Sequence, residues 1–378
     1  MRIAINNHRL NFISALFITC ILFTHTGISA TFDFKRLRSQ LGPRDAAIVA
    51  DSKGNILFSH NADKALIPAS TLKLLTALTA FHYLGVDYRF RTEFYLDDAS
   101  NLIIKGYGDP LLISEIIDEI SGLLARQLGR RLNTIQDVII DHAFFQHPII
   151  IPGVTDSSEP YDAPNGALCA NFNTVNFKKI EGTFVSAEPQ TPLLSMVLER
   201  IHSSGLSQGR IRLSSNRQEI FYYAGYLFKY FFEANGINVA GSVKMGRVHK
   251  KNKLVLSYNS PFTLEQVVMK MMTYSNNFMA NQILLNTGAH IFGSPGTLQK
   301  AVSAAQSYAI KELGFTDLRI SEGSGISRKN RITANSMLSI LNKFKPYRHL
   351  LTKEGQDIFK TGTLKDISTR VGYFQTSE

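Results

Sequence analysis

The chain has 378 residues, is 44% hydrophobic and 19% charged, and carries a formal net charge of +11. This mixture excludes a disordered or fibrous chain and suits a globular protein of about two or three domains. The basic residues are scattered, and the one dense run, His249-Lys250-Lys251-Asn252-Lys253, reads as a solvated turn; such a charge would suggest nucleic acid in a cytoplasmic chain and an anionic wall or membrane surface in an exported one.

Residues 1–30 differ from the rest. Arg2 and Arg9 stand without any acidic residue, "FISALFITCILF" follows, and "THTGISA" ends the stretch in small residues. That order is the pattern of a secretory leader, with cleavage expected after Ala30. The apolar core is shorter than the ~20 residues of a membrane span, so an uncleaved anchor is the weaker alternative. Export to the periplasm follows as an expectation. After cleavage the net charge falls to +9 and Cys169 is the only cysteine, which leaves no partner for an intrachain disulfide and no Cys-rich metal site.

Along the mature chain, residues 46–63 read as a hairpin, with two apolar runs flanking Ser52-Lys53-Gly54-Asn55. In "IPASTLKLLTALTAF" (67–81), Leu74, Leu75, Leu78 and Phe81 fall at helical spacing, with Gly85 as the stop. The texture then turns to strands. "RFRTEFYL" (89–96) alternates, and 101–106, 137–145 and 183–189 also read as strands, with a short helix near 112–130. A helix over 219–236 and a strand over 237–246 follow. From about 258 the helical pattern returns, marked by Leu264, Val267, Val268, Met271 and Met272, and it breaks at "GAHIFGSPG" (288–296). Residues 297–314 form a strong amphipathic pattern stopped by Gly314. The simplest organisation is one domain made from 31–85 and 258–378, with a β-rich insertion over 86–257.

Three short motifs carry chemistry in a fixed order: Ser70-Thr71-Leu72-Lys73, Ser275-Asn276-Asn277 and Lys360-Thr361-Gly362-Thr363. Each alone is weak. Together, in an exported chain, they match the active-site set of penicillin-binding proteins and serine β-lactamases. A serine hydroxyl needs a base before it attacks. Helix positions i and i+3 share a face, so Lys73 can reach Ser70. A lysine acts as base only when neutral, which burial or a second cation such as Lys360 would favour. The expected roles follow. Ser70 is the nucleophile and Lys73 its base; the Ser70 and Thr363 N–H groups form an oxyanion hole. Ser275 relays a proton to the leaving amine, Asn277 holds a substrate amide, and Lys360 with Thr361 binds a terminal carboxylate. The plain readings are a capped helix with a snorkelling lysine, an N-cap loop and an ordinary strand start.

Beyond the triplets, the sequence resembles the D-alanyl-D-alanine carboxypeptidase/endopeptidase family of low-molecular-mass penicillin-binding proteins, the class C or penicillin-binding protein 4 type. The likeness spans nearly the whole mature chain. It includes "IIKGYGDPLL" (103–112), "VIIDHAFF" (138–145), "YDAPNGALCANFN" (161–173), "MTYSNNFMANQILL" (272–285) and "SEGSGISRKNRIT" (321–333). It implies an α+β fold, a β-lactamase/transpeptidase-like antiparallel sheet flanked by helices, with a β-rich inserted domain. It implies cleavage of terminal D-Ala-D-Ala in peptidoglycan stem peptides through an acyl-enzyme that β-lactams trap, with no metal or cofactor. It also makes Asp156 a candidate for approaching a substrate amino group, with Asp162 and Glu159 as competitors; Asp109 reads as a turn residue. Glu322 stands where the family usually has Asp.

Two departures bear on activity. The spacing from Ser70 to Ser275 is short for the family, which implies trimmed inserted domains. Only 16 residues follow Gly362; the family continues into a further strand that lies beside the N-terminal hairpin. Either another segment fills that place or the sheet is left open, since unpaired backbone inside a sheet is costly. The alternatives to a D,D-peptidase are accordingly a non-catalytic wall-binding relic and a serine β-lactamase. The latter lacks a recognisable deacylating Glu-x-x-Leu-Asn loop.

Overall fold

The computed structural model describes residues 16–23 (backbone), 33–129, 134–213, 218–315 and 318–374. The first residues of the expected leader and its cleavage point at Ala30 lie outside the described residues. The chain runs through strand β1 (Leu16–Phe23), helix α1 (Phe34–Gln40) and the hairpin β2 (Ala46–Ala50) and β3 (Ile56–His60) to a 3-10 turn at Ala69–Leu72 and α2 (Lys73–Leu84). The insertion comprises β4 (Arg89–Leu96), β5 (Leu102–Gly106), α3 (Ser114–Leu128), β6 (Thr134–Ile135), β7 (Val138–Asp141), β8 (Thr174–Ile180), β9 (Thr183–Ser186), α4 (Leu198–Ser204), β10 (Gln208–Arg212), α5 (Glu219–Ala234), β11 (Asn238–Val239), β12 (Val243–Met245) and β13 (Lys253–Thr263). The chain returns through α6 (Leu264–Thr273), α7 (Asn277–Phe292), α8 (Leu298–Leu313), α9 (Ala334–Phe344), β14 (Thr352–Glu354), β15 (Asp357–Leu364) and β16 (Ile367–Phe374).

The main sheet has six strands in the order β14-β15-β16-β1-β2-β3. Strand β2, Ala46-Ala47-Ile48-Val49-Ala50, lies one place in from the edge strand β3 and is buried along its whole length. Ala46, Ile48 and Ala50 face the large core, whereas Ala47 and Val49 face a second cluster with Phe58, under Phe34, Leu37 and Leu41 at or beside α1. Strand residues alternate between faces, so this sheet is covered on both. Helix α2 has no polar face: Lys73 through Phe81 are all buried. A helix apolar all round belongs inside, and α2 packs against α7, α8 and α9.

The expected fold class holds, with one correction. The sheet is not purely antiparallel: β1 pairs parallel with β16, from Leu16 opposite Ile367 to Phe23 opposite Phe374, and parallel with β2, from Ile18 opposite Ala46 to Leu22 opposite Ala50. The place the sequence analysis left open is therefore filled by the apolar stretch expected as a leader core. A continuous apolar run suits a central parallel strand as well as it suits a leader. The connection from β1 to β2 passes through α1, the kind of crossover that parallel strands require.

The insertion holds a five-stranded sheet, β12-β7-β5-β4-β13, a three-stranded sheet, β10-β8-β9, and the short pair β11-β6. In β4 the alternation holds over Arg89–Thr92 and breaks after it: Phe90, Thr92 and Phe94 are buried as expected, but Glu93 is buried as well and Leu96 is only half-buried. Three local expectations shift. Residues 253–263 form β13, paired with β4, so the inserted sheet extends past 257 and the helical run begins at Leu264. The strand expected over 237–246 is two short strands separated at Ala240–Ser242. Helix α7 continues through Gly288 to Phe292. Gly288 is there for contact rather than for a break: a Cβ on it would stand 2.5 Å from Ala301 N on α8.

Candidate active site

Ser70 sits in the 3-10 turn that opens α2, and Lys73 is the first residue of the α-helix proper. Lys73 Nζ donates to Ser70 Oγ (3.0 Å), Asn277 Oδ1 (2.7 Å) and Ser324 O (2.8 Å). The i, i+3 spacing predicts the first contact; the other two join segments more than 200 residues away. Lys73 is fully buried. Burial above all, with the Lys360 ammonium in support, lowers it from the usual lysine range to about 7, while Glu322 opposes the shift. A neutral amine needs only two acceptors for its N–H groups. In the neutral form Asn277 Oδ1 and Ser324 O take the two N–H groups, and the 3.0 Å contact with Ser70 reverses, the hydroxyl donating to the Nζ lone pair.

Ser275 lies in the turn between α6 and α7, with a left-handed φ of 50°. Asn276 caps α7, its side chain accepting from Met279 N at 2.9 Å. The plain N-cap reading of this motif is thus correct for its middle residue, and the residues on either side of it meet the two lysines, Asn277 Oδ1 accepting from Lys73 and Ser275 Oγ from Lys360. On β15, Lys360 Nζ donates to Ser275 Oγ (2.9 Å) and to Thr361 O (2.8 Å). Its burial lowers it to about 8. Two Lys–Ser pairs thus stand together, linked through the Ser275–Asn277 turn.

The strand and the nucleophile turn are in close approach. A Cβ on Gly362 would lie 2.6 Å from Ser70 N, and one on Gly325 would lie 1.8 Å from Ala69 O. Ser70 is thus held between two glycine backbones, and Ala69 takes a left-handed φ of 48°. Thr369 secures the same corner, its Oγ1 donating to Pro68 O at 2.9 Å. Thr361 and Thr363 alternate with Gly362 and are exposed, as residues that meet a substrate must be. The 324–325 turn, Ala69 and Thr369 are missing from the sequence reading. The only signal for them is the glycine pair of "SEGSG", which has no chemistry of its own.

Asp156 is not brought to this cluster by any contact. Its exposed carboxylate pairs with the buried Arg212 guanidinium, and it lines a separate cavity of about 260 Å³ with Ile149, Val154 and Asp162. Asp162 is buried and accepts from Thr155 and Ser157 hydroxyls, which makes it a loop anchor. Asp109 is the turn residue expected: its carboxylate accepts from Leu111 N, and burial raises it to about 6. Among the described residues no cluster of three or more His, Cys, Asp or Glu side chains could hold a metal ion. A cavity of about 530 Å³ opens beside Asn276, walled by Tyr274 and Phe278 on one side and by Phe172, Glu188 and Arg210 of the insertion on the other.

A profile of the D-Ala-D-Ala carboxypeptidase 3 (S13) family matches residues 35–208 and 205–352. The chain belongs to that family. This S13 chain is 25% identical over 345 residues to a D-alanyl-D-alanine carboxypeptidase of Actinomadura sp. (strain R39), covering 78% of this chain and 63% of that protein. It is 22% identical over 331 residues to the D-alanyl-D-alanine carboxypeptidase DacB of Haemophilus influenzae, covering 77% of this chain and 68% of that one. The S13 chain thus spans about two thirds or less of the length of these relatives. Its fold is that of the crystal structure of penicillin binding protein 4 from Haemophilus influenzae: TM-score 0.72 at 18% identity, over 92% of this chain and 91% of that one.

Proposed function

We propose that the chain is a serine D-Ala-D-Ala carboxypeptidase acting on peptidoglycan stem peptides through a penicillin-sensitive acyl-enzyme. The carrying observation is Lys73 Nζ at 3.0 Å from Ser70 Oγ, buried and lowered to about 7. Family membership and the relatives' named activity support the same reading.

In the first step Ser70 Oγ attacks the carbonyl carbon of the penultimate residue and its proton passes to Lys73 Nζ. The Ser70 and Thr363 N–H groups receive the developing oxyanion. The intermediate collapses, the C–N bond breaks, and the leaving amine takes a proton through Ser275, which Lys360 orients. Water then hydrolyses the Ser70 ester. Lys360 and Thr361 hold the substrate's terminal carboxylate, and Asn277 holds an amide upstream of the scissile bond. The 530 Å³ cavity beside Asn276 offers room for the remainder of the peptide. The Haemophilus penicillin binding protein 4 has been crystallised in complex with a β-lactam, which supports a β-lactam as the trapping reagent here. Export to the periplasm fits a wall substrate, and the basic balance, +11 for the whole chain and +9 without residues 1–30, supports loose association with anionic wall or membrane surfaces.

The test is labelling of the chain by a tagged penicillin, read by intact mass and by peptide mapping. A stoichiometric adduct on Ser70, absent in Ser70→Ala, is the expected result. A folded chain that takes up no label would sink the peptidase reading and favour a wall-binding role.

A further inference from the structure

Glu322 is fully buried and forms no salt bridge among the described residues. Its two carboxylate oxygens accept six hydrogen bonds. Oε2 takes Ser324 N (2.7 Å), Ser324 Oγ (2.6 Å) and Asn281 Nδ2 (3.1 Å). Oε1 takes Gly325 N (2.7 Å), Asn330 Nδ2 (2.7 Å) and Ser327 N (3.3 Å). Every partner is a donor, which is the pattern a carboxylate accepts. A buried charge without a counter-ion is costly, so its presence here needs a reason beyond loop closure.

Its partners supply one. Ser324 and Gly325, held through their N–H groups, form the turn that meets the nucleophile. Ser324 O is an acceptor for Lys73 Nζ, and Gly325 presses on Ala69 O. Asn281 lies one turn after Asn277 on α7, and its Nδ2 also donates to Asn277 O at 3.3 Å. Gly323 accepts from Thr76 Oγ1 of α2 at 2.6 Å and donates to Asn281 Oδ1 at 2.7 Å. The carboxylate thus ties α7 to the 322–330 loop, and Gly323 of that loop is tied to α2 through Thr76, one turn from Lys73. The charged groups acting on Lys73 are Lys360 from β15 and Glu322 from this loop; α7 contributes the neutral Asn277.

Resting on the peptidase reading, we propose that Glu322 is a positioning residue that holds the Ser324–Gly325 turn against Ala69–Ser70 and steadies the positive charge Lys73 gains when it takes the Ser70 proton. In that step the Oγ–H bond breaks, the Oγ–C bond forms, and the proton resides on Lys73 Nζ. Glu322 gains and loses no proton. Its part resembles that of the buried carboxylate behind a catalytic histidine, which orients the base and stabilises its cation.

The experiment uses the full chain and Glu322→Gln, which removes the charge at constant length, and Glu322→Asp, which keeps it. Two quantities are read: the titration midpoint of Lys73 by NMR of 13C-labelled lysine, and the rate of penicillin acylation against pH. In Glu322→Gln the Lys73 midpoint is expected to fall and the plateau acylation rate to drop at least about tenfold. In Glu322→Asp the midpoint is expected to stay in place. A structural role alone would slow acylation and leave the midpoint of Glu322→Gln unmoved, and that result overturns the proposal. A downward midpoint in Glu322→Asp overturns it as well, and remains readable if Glu322→Gln does not fold. The NMR midpoint requires no acylation, so a wild-type chain that takes no label would refute the peptidase reading separately.

Discussion

Lys360 Nζ stands 2.9 Å from Ser275 Oγ, a residue 85 positions before it in the chain, and repeats the Lys–Ser contact that Lys73 makes with Ser70. The two pairs carry different duties because their surroundings differ. Lys73 has a second cation acting on it as well as burial, whereas burial alone acts on Lys360. The site therefore holds one lysine near neutrality and one that keeps its charge slightly further up the pH scale.

The pH dependence of acylation follows from that difference. Lys73 works as a neutral base, so the rate should rise as pH passes about 7. Lys360 works as a cation toward the substrate carboxylate, so the rate should fall as pH passes about 8. The expected profile is a narrow bell between these values. A rate that climbs steadily to pH 10 would remove Lys360 from the binding role.

Loss of either member of the first pair should separate folding from chemistry. Ser70→Ala is expected to abolish the covalent adduct. Lys73→Ala should slow acylation by about 10²–10⁴-fold, the usual worth of a positioned base. Mass spectrometry and stopped-flow labelling measure both. Near wild-type acylation in Lys73→Ala would assign the base to another group.

Gly325→Ala probes the clamp on the nucleophile. The residue has φ of +87°, and its new Cβ would meet Ala69 O at 1.8 Å. Either strain alone disfavours the change; together they should destabilise the chain by more than about 1 kcal/mol and move Ser70 away from Gly362. A lowered Tm and slow labelling are expected. A variant that melts and labels like wild type would mean that the 324–325 turn does not set the position of Ser70.

Removal of residues 1–30 takes β1 out of the sheet. The N–H and C=O groups of β2 and β16 that face it then lose their partners. Chain 31–378 should melt below chain 1–378, and its amides at 46–50 and 367–374 should exchange faster with deuterium. Equal melting and equal protection would show that the sheet does not depend on that segment.

Much of this protein is legible in order along the chain. The hairpin at 46–60, helix α2 with its Gly85 stop, strand β4 and helix α8 follow from local period and turn chemistry, because neighbouring residues alone set those patterns. Ser70 and Lys73 belong to that class, since three positions on one helix fix their contact. The meeting of Lys73 with Asn277 and Ser324, and of Lys360 with Ser275, does not: motif order placed Asn277, Lys360 and Ser275 in the site, but no local rule gives their distances. Asp156 marks the limit of such reasoning, because the partner it faces, Arg212, is 56 positions away. The place of residues 16–23 lay further still from reach, since an apolar run carries no information about which strands it will pair with. The sequence by itself determined the elements and the kinds of group at the site. Only the tertiary structure decided that a buried, six-fold hydrogen-bonded Glu322 stands behind the base, because burial and charge belong to surroundings that distant segments assemble.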